Sequence, residues 1–130
     1  MNEKKSLFLS FNGPETIRTD LLDTFEYSGE RQTIRYVTRE FSAVCPFSGL
    51  PDIATLEIEY IPKNKCIELK SLKLYFVSFR NVGMFQEHVT DRIYKDIYNL
   101  IQPSYLKLTS RYATRGGIDA TCEICSENLP

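Results

Sequence analysis

The sequence predicts an α+β fold, in which a mostly antiparallel sheet carries two helices on one of its faces. The prediction rests on the order of the patterns along the chain. Segments that alternate between apolar and polar residues come first, two segments with helical periodicity follow, and two further alternating segments come last. Strands kept apart from a run of helices in this way favour an antiparallel sheet with the helices on one side.

Two strands are predicted ahead of the helices. Residues 32–44 form the first, and residues 45–52 carry two prolines and a glycine, which indicates a loop. Residues 54–61 form the clearest strand of the chain, because apolar residues alternate there with Glu57 and Glu59. The loop therefore joins two neighbouring strands.

The segments around these strands are less regular. Residues 1–30 are treated as an N-terminal extension of uncertain structure, in which residues 16–25 could hold a short helix. A turn at residues 62–64 leads to a short strand that ends at Ile67. Residues 31–130 are predicted to form a single domain, which suits a chain of 130 residues.

Both helices are predicted from apolar residues at helical spacing. The stripe of the first helix consists of Leu72, Tyr75, Phe76 and Phe79. Gly83 is a natural stop after it. The second helix is predicted over residues 85–101, and Pro103 prevents its continuation. Residues 105–112 and 118–124 are predicted as the last two strands.

The predicted sheet has a partly polar second face, since Glu57 and Glu59 point away from the helices. Such a sheet leaves one face and two strand edges in need of cover. Pairing of the edges between subunits in a ring is one solution, and protection of the edges by charge on a monomer is the other.

Composition narrows the function class. The net charge of −1 does not suggest a broad nucleic-acid-binding face. No apolar run approaches the roughly 20 residues that span a bilayer, and residues 1–8 lack the apolar core of a signal peptide. We therefore expect a cytoplasmic protein without a membrane partner, whose four cysteines are thiols.

The cysteines do not predict a metal site. Cys122 and Cys125 form a Cys-x-x-Cys pair close to the C-terminus, but no second such pair is present and the chain has one histidine. We assign the pair no role and expect no metal.

The loop at residues 45–52 holds a candidate nucleophile and a candidate acid/base. Cys45 opens the loop and Asp52 closes it, so a carboxylate could exchange protons with the thiol or with a substrate. The residues alone also allow a structural Cys45. The single histidine, His88, does not supply a triad.

Charged residues near the helix starts suggest ligand contacts. Lys70 and Lys73 lie one turn apart, and with the free amides of a first helical turn they suit a phosphate. Glu68 precedes them. Glu87, at the start of the second helix, could either favour the helix dipole or accept two hydrogen bonds from a purine-type ligand.

Several segments between residues 40 and 117 have the order and spacing of one known family. In chain order they are Glu40-Phe41-Ser42, Cys45-Pro46, Gly49-x-Pro51-Asp52, Tyr60-Ile61-Pro62, Glu68-Leu69-Lys70-Ser71-Leu72-Lys73-Leu74-Tyr75, Ser78-Phe79-Arg80-Asn81, Phe85-Gln86-Glu87 and Arg115-Gly116-Gly117. With these motifs the chain resembles the QueF family of nitrile oxidoreductases, the NADPH-dependent 7-cyano-7-deazaguanine reductases. Residues 68–75 match the family's signature, and the length matches its short, single-domain type.

The resemblance implies a reaction that uses Cys45 and Asp52. Cys45 corresponds to the nucleophile that forms a thioimide with the nitrile carbon, and Asp52 to the group that protonates the nitrogen. Two NADPH molecules supply two hydrides to give the aminomethyl product, a step in queuosine biosynthesis for tRNA. The resemblance also implies the tunnelling fold, whose members form rings with active sites between subunits.

The resemblance further assigns binding residues. Substrate contacts fall on Ile67, Glu68, Leu69, Gln86 and Glu87. Cofactor contacts fall on Lys70, Lys73 and Arg115. Many members carry histidine at the position of Gln86, and glutamine cannot exchange protons near neutral pH. His88 points to a different side of the helix and is expected to be structural.

Two other functions stay open. An amidinotransferase that acts on tRNA would use the same thioimide, but such proteins lack the lysine-bearing signature that is intact here. The other function is that of a ring-forming protein that binds a purine or pterin without catalysing a reaction and shares only the fold with the family.

Overall fold

The computed structural model of the protein describes residues 10–127, so residues 1–8, considered above for a leader, lie outside the described residues. Two short 3-10 helices, Pro14–Thr16 and Thr19–Leu21, come first. The remaining elements are β1 (Thr24–Glu26), β2 (Ile34–Val44), β3 (Pro51–Ile61), β4 (Lys65–Ile67), α1 (Leu69–Val77), α2 (Gln86–Ile101), β5 (Tyr105–Tyr112) and β6 (Thr121–Cys125).

The main sheet is antiparallel and has the strand order β2-β3-β5-β6. Its centre is the pairing of β3 with β5, which runs from Ala54 opposite Tyr112 to Ile61 opposite Tyr105. With α1 and α2 between β3 and β5 along the chain, the predicted strand-strand-helix-helix-strand-strand order is confirmed.

The segment before β2 differs from the prediction. The proposed helix over residues 16–25 is wrong, because the chain forms the second 3-10 helix there and then β1. β1 pairs with β4 in a separate two-stranded sheet, with Phe25 opposite Cys66. The amide of Glu68 also donates to the Asp23 carbonyl oxygen at 3.0 Å. These contacts join the N-terminal segment to the start of α1.

β3 begins earlier than predicted. It starts at Pro51, so Asp52 lies inside the strand, opposite Ala43 of β2. Proline is tolerated at the first position of a strand, so Pro51 can begin β3.

Both helices cover the same face of the sheet. The inward row of β3 contributes Leu56, Ile58 and Tyr60 to the core, as predicted. Tyr75 of α1 and Ile93 of α2 belong to the same buried cluster. Full burial of a large apolar side chain stabilises the fold by roughly 1.5–3 kcal/mol, so this one layer of contacts holds the helices on the sheet.

The opposite face of the sheet carries charges in register. Arg35 pairs with Glu57 at 3.0 Å and with Glu59 at 3.2 Å, and Arg111 pairs with Glu57 at 3.2 Å. The predicted polar character of this face is confirmed. Neither α-helix in residues 10–127 is long and apolar enough to cross a membrane.

Candidate functional site

The loop after β2 is closed by its own main chain. The Cys45 amide donates to the Leu50 carbonyl oxygen at 2.9 Å, and the Gly49 amide donates to the Cys45 carbonyl oxygen at 2.8 Å. Gly49 has a φ of 72°, a left-handed conformation that glycine adopts without a steric penalty. The glycine therefore allows the loop to return to β3 within a few residues of Cys45.

This loop also directs hydrogen-bond donors at the Cys45 sulfur. Burial raises the pKa of the thiol, and the charge of Asp52 raises it further. The amides of Ser48 and Phe47, together with the Ser48 hydroxyl, act in the opposite direction and prevail, so the pKa of Cys45 lies below the ordinary 9.0. A lower pKa increases the fraction of thiolate, which is the nucleophilic form.

Asp52 lies close to Cys45 on the inward face of β3 and is only 5% exposed. Its Oδ1 accepts a hydrogen bond from Nη1 of Arg115 within an ion pair. Arg115 begins a turn in which it exchanges two main-chain hydrogen bonds with Ile118, of 3.0 and 2.9 Å. The two central glycines have φ values of 58° and 75°. Positive φ at both central positions requires residues such as glycine, so the Gly-Gly sequence positions Arg115 over Asp52.

The start of α2 is held against the Cys45 loop. The Val44 amide donates to the Val82 carbonyl oxygen at 3.0 Å, and the Met84 amide donates to the Val44 carbonyl oxygen at 3.2 Å. The ring of Phe47 meets the ring of Phe85 edge-on at a centroid distance of 5.7 Å. The first turn of α2 therefore borders the loop that carries Cys45.

The first two residues of α2 are Gln86 and Glu87, directly after the Phe85 contact. Glu87 is exposed, and its carboxylate is free of any ion pair with a described residue. The ring of His88 lies 6.2 Å from the ring of Phe85. The structure thus brings Gln86 and Glu87 to the end of the sheet where Cys45 and Asp52 lie.

Tyr112 belongs to the same cluster and was missed by the sequence analysis. It is the last residue of β5 and lies opposite Ala54, so its side chain shares the inward face with Asp52. The side chain is 6% exposed, and burial together with the nearby charges of Cys122, Asp52 and Glu87 raises the pKa of its hydroxyl. The alternation of β5 predicts an inward side chain here, but nothing in the sequence shows which charges it meets.

The other predicted site residues lie at the start of α1. Glu68 is the N-cap, and its carboxylate accepts hydrogen bonds from the amides of Lys70 at 2.7 Å and Ser71 at 2.9 Å. Our expectation that the amides of this turn are free for a phosphate is therefore wrong for these two. An N-cap carboxylate satisfies amides that the helix itself leaves unpaired, so Glu68 has a structural role in the free protein.

The lysines of this turn are available to a ligand. Lys70 and Lys73 are exposed, and within the described chain neither ammonium group forms an ion pair. Lys73 and Arg80 line a largely apolar groove of about 170 Å³ between β2 and α1. Arg80 is a further cation that the sequence analysis did not select, although it follows Lys73 at a spacing of seven residues, which is about two helical turns.

The two groups of predicted residues lie at opposite ends of the sheet. The Ile67 amide donates to the Tyr60 hydroxyl at 3.1 Å, so the segment with Ile67, Glu68 and Leu69 lies near the far end of β3. Asp52 lies eight residues earlier on that strand, about 26 Å away at 3.3 Å per residue. One chain therefore brings together Cys45 and Asp52 with the start of α2, but it does not bring Ile67, Glu68 or Leu69 to them.

The cysteines and acids of the described chain do not form a metal site. No group of three or more His, Cys, Asp or Glu residues within residues 10–127 could hold a metal ion. Cys125 donates a hydrogen bond to the Tyr105 hydroxyl at 3.4 Å, and all four cysteines are free thiols.

Comparison with solved structures supports the fold. The crystal structure of the archaeosine synthase QueF-Like in the apo form matches with a TM-score of 0.67 and covers 80% of this chain and 100% of that chain. The two sequences are 20% identical, so this likeness concerns the fold alone. It confirms the α+β fold class predicted above.

Comparison with known sequences identifies the family. Residues 51–130 match the family model described as QueF-like protein. The NADPH-dependent 7-cyano-7-deazaguanine reductase of Thermotoga petrophila is 49% identical over 127 residues, which are 97% of this chain and 93% of the relative. The protein of that name from Caldicellulosiruptor bescii is 46% identical over 108 residues, or 82% of each chain. With this family match and these identities along nearly its whole length, the chain belongs to the QueF family.

Proposed function

We propose that the protein reduces the nitrile of 7-cyano-7-deazaguanine to the aminomethyl group with NADPH, as a step in queuosine biosynthesis. The observation that carries the proposal is the Cys45 loop, whose amides lower the pKa of a thiol placed beside Asp52. The relatives described above carry the name of this activity. We place the reaction in the cytoplasm, because a catalytic thiolate and four free cysteines suit a reducing compartment.

Cys45 and Asp52 divide the first chemical step between them. The Cys45 thiolate attacks the nitrile carbon, so a carbon–sulfur bond forms while one carbon–nitrogen π bond breaks. The nitrogen gains the electron pair and takes a proton through Asp52, whose carboxylate has first taken that proton from the Cys45 thiol. The result is a covalent thioimide, which divides a difficult reduction into easier steps. Arg115 binds Oδ1 of Asp52 and so leaves Oδ2 for the proton transfer.

The residues at α1 fit a cofactor with several phosphates. Lys70, Lys73 and Arg80 are exposed cations, and Lys73 and Arg80 share one groove. A bound NADPH would supply hydride to the substrate carbon, once for each of the two reduction steps. We assign Lys70 and Lys73 to its phosphates and extend the assignment to Arg80. Arg115 is proposed for the same role, in which it would exchange Asp52 for a phosphate.

The start of α2 suits the purine-like edge of the substrate. A guanine-type ring presents adjacent N–H donors, and the exposed Glu87 carboxylate can accept two of them. Gln86 can hydrogen bond to the ring but cannot carry a proton, so proton transfer falls to Asp52. We propose that a neighbouring subunit completes the substrate site with residues at its opposite end, namely Ile67, Glu68 and Leu69.

Cys45 and Asp52 lie at one end of the sheet, and Ile67, Glu68 and Leu69 lie near the other. This separation supports a homo-oligomer with shared active sites. Large apolar side chains are exposed at both ends. Around Cys45 they are Phe47, Leu50, Ile53, Phe85 and Ile118, and around α1 they are Leu69, Leu74, Val77 and Val37. Contact between these two different patches joins the end of one chain to the opposite end of the next. Repeated contacts of this kind form a ring when the rotation between neighbouring subunits closes.

The test is substrate-dependent oxidation of NADPH by the purified protein, with the mass of the protein measured after incubation with the nitrile alone. The expected results are turnover and an adduct of one substrate mass on Cys45. Cys45→Ala should abolish both, whereas the control Cys125→Ala, at the far end of β6, should retain both. An adduct on Cys45→Ala, or a parent protein that oxidises no NADPH, would overturn the proposal.

A further inference from the structure

The groove between β2 and α1 contains a carboxylate that the proposed function does not use. Glu40 lines the groove on the β2 side, and Lys73 and Arg80 line it on the other side. All three side chains are exposed, and none of them forms an ion pair with another residue of the range 10–127. Opposite charges that share a groove without pairing suit a ligand that carries both a hydrogen-bond donor and an anion.

A bulge in β2 places Glu40 beside the groove. Thr38 lies opposite Leu56 but Phe41 lies opposite Ala54, so β2 contains one residue more than β3 in this stretch. The Glu40 amide donates to the Thr38 hydroxyl at 3.2 Å within the bulge. The extra residue lets Phe41 face the core while the acid before it borders the groove. Bulges redirect side chains in this way and are frequent beside active sites.

The remainder of the groove is mostly apolar. Phe41 and Phe76 meet edge-on at a centroid distance of 5.7 Å, and Leu72 lines the groove with them. The cavity of about 170 Å³ is smaller than the roughly 300–1,000 Å³ of pockets that enclose a whole drug-sized ligand. Nucleic-acid bases stack on aromatic side chains through their flat faces. Size and lining therefore suit a single base.

The adenosine end of NADPH carries the groups that match these walls. Adenine has an amino group that donates hydrogen bonds, and an ionised carboxylate such as Glu40 only accepts them. The additional phosphate of NADPH is attached to the ribose next to this base, so it suits the cations Lys73 and Arg80. Leu69 and Val77 at the groove belong to the exposed apolar patch proposed above for subunit contact. A neighbouring subunit would therefore lie close to the bound adenosine.

We propose that the groove between β2 and α1 binds the adenosine end of NADPH. The base lies between the apolar walls, its amino group donates to Glu40, and the ribose phosphate binds Lys73 and Arg80. The inference rests on the proposed function and adds the subsite that selects both the base and the phosphate. The nicotinamide stays outside the groove, where it can reach the catalytic cysteine of a neighbouring subunit.

The first test compares NADPH with its hypoxanthine analogue, in which an oxygen replaces the amino group of the base. Two acceptors then face each other, so the KM of the parent protein should be about tenfold higher for the analogue than for NADPH. In Glu40→Gln the side-chain amide can donate to that oxygen, so the two KM values should become equal. Glu30→Gln, an exposed acid outside the groove, is the matched control and should keep the parent ratio. Because the ratio is taken within one protein, it does not depend on the folded fraction of a variant.

The second test measures binding without turnover. The probe is adenosine 2′,5′-bisphosphate, which is the adenosine end of NADPH without the nicotinamide half, titrated into the protein by calorimetry. Its Kd should rise about tenfold in Arg80→Ala, as expected for loss of a charge-assisted hydrogen bond. The control Arg31→Ala, at an exposed arginine outside the groove, should bind as the parent does.

Three results would overturn the inference alone, in a parent protein that oxidises NADPH with the nitrile. They are equal KM values for the two cofactors in the parent, a parent ratio that persists in Glu40→Gln, and an unchanged Kd in Arg80→Ala. A parent protein that oxidises no NADPH would overturn the proposed function instead.

Discussion

The pKa of Cys45 is lowered by hydrogen-bond donors of its own loop. The amides of Ser48 and Phe47 and the Ser48 hydroxyl favour the thiolate, and they outweigh both burial and the charge of Asp52. The single histidine of the chain packs against Phe85 instead. The loop geometry thus favours the thiolate, and we propose that Asp52 carries the released proton to the substrate nitrogen.

This arrangement predicts how alkylation of Cys45 depends on pH. The rate of reaction with iodoacetamide should rise with pH as the thiolate forms, with a midpoint below 9.0. In Ser48→Ala the midpoint should move to higher pH, because one donor to the sulfur is lost. Peptide mass spectrometry reports Cys45 separately, so Cys125 serves as an internal control. An unchanged midpoint in Ser48→Ala would contradict the role of this hydroxyl.

Asp52 and Arg115 illustrate how little of the site is local in sequence. They are joined by an ion pair although 63 positions separate them in the chain. Asp52 is the second residue of β3, and Arg115 follows the end of β5, which pairs with β3 in antiparallel register. The motifs indicate each residue, but the pairing of the strands decides that they meet.

At the scale of elements, the signature at residues 68–75 divides into a structural and an exposed half. Glu68 caps α1, and the Ser71 hydroxyl accepts a hydrogen bond from the Asp23 amide at 2.9 Å. The buried Tyr75 hydroxyl donates to Asp96 of α2 at 2.7 Å. Lys70 and Lys73 point to solvent. The structural half therefore holds the helix in place while the lysines remain available to the cofactor.

This division predicts a selective effect of the lysines on NADPH. The double variant Lys70→Ala/Lys73→Ala should raise the KM for NADPH roughly tenfold or more, as for loss of charge-assisted hydrogen bonds. The effect on NADH should be smaller, because NADH lacks the additional phosphate. The melting temperature should stay the same, since both side chains are exposed.

The control for this experiment is Lys95→Ala on α2, an exposed lysine that pairs with Asp91 at 2.9 Å. It should leave both Michaelis constants unchanged. Equal increases for NADPH and NADH in the double variant would show that the lysines do not recognise the additional phosphate.

At the scale of the whole molecule, we propose that the two ends of the protomer carry complementary halves of one site. Cys45, Asp52 and Glu87 occupy one end of the sheet, and the lysine-bearing turn begins near the other. The charged outer face of the sheet is already paired within the chain through Arg35 and Glu57. Assembly is therefore expected through the exposed apolar ends.

If each active site is shared between two subunits, two defective variants should restore activity when they are assembled into the same oligomer. Cys45→Ala removes one half of each site, and the charge reversal Lys70→Glu/Lys73→Glu impairs the other half. Random mixing should place intact halves together in about a quarter of the sites, so about a quarter of the parent activity should return. The measurement is NADPH oxidation by co-expressed, doubly tagged oligomers.

The control is the same two variants purified separately and combined just before the assay, without exchange of subunits. These should show no recovery. If the co-expressed oligomers also fail to recover while remaining assembled, each site lies within one chain and the proposal of shared sites is wrong.

The local patterns were sufficient for most of the main sheet. β5 has the predicted bounds, and α2 begins one residue after the predicted start, because alternation and helical periodicity report burial directly. The pairing of β1 with β4 was not predicted, since a three-residue strand carries no recognisable period. The early start of β3 was missed because Pro51 resembles a loop residue.

By itself, the sequence determined the order of the elements, the family and the candidates Cys45, Asp52, Lys70 and Lys73, because these follow from local spacing and from motifs. Only the tertiary structure decided which groups meet. Glu68 is paired with amides of its own helix, and Arg115 with Asp52. Hydrogen-bond satisfaction depends on distances between segments remote in sequence, and strand register, not composition, sets those distances.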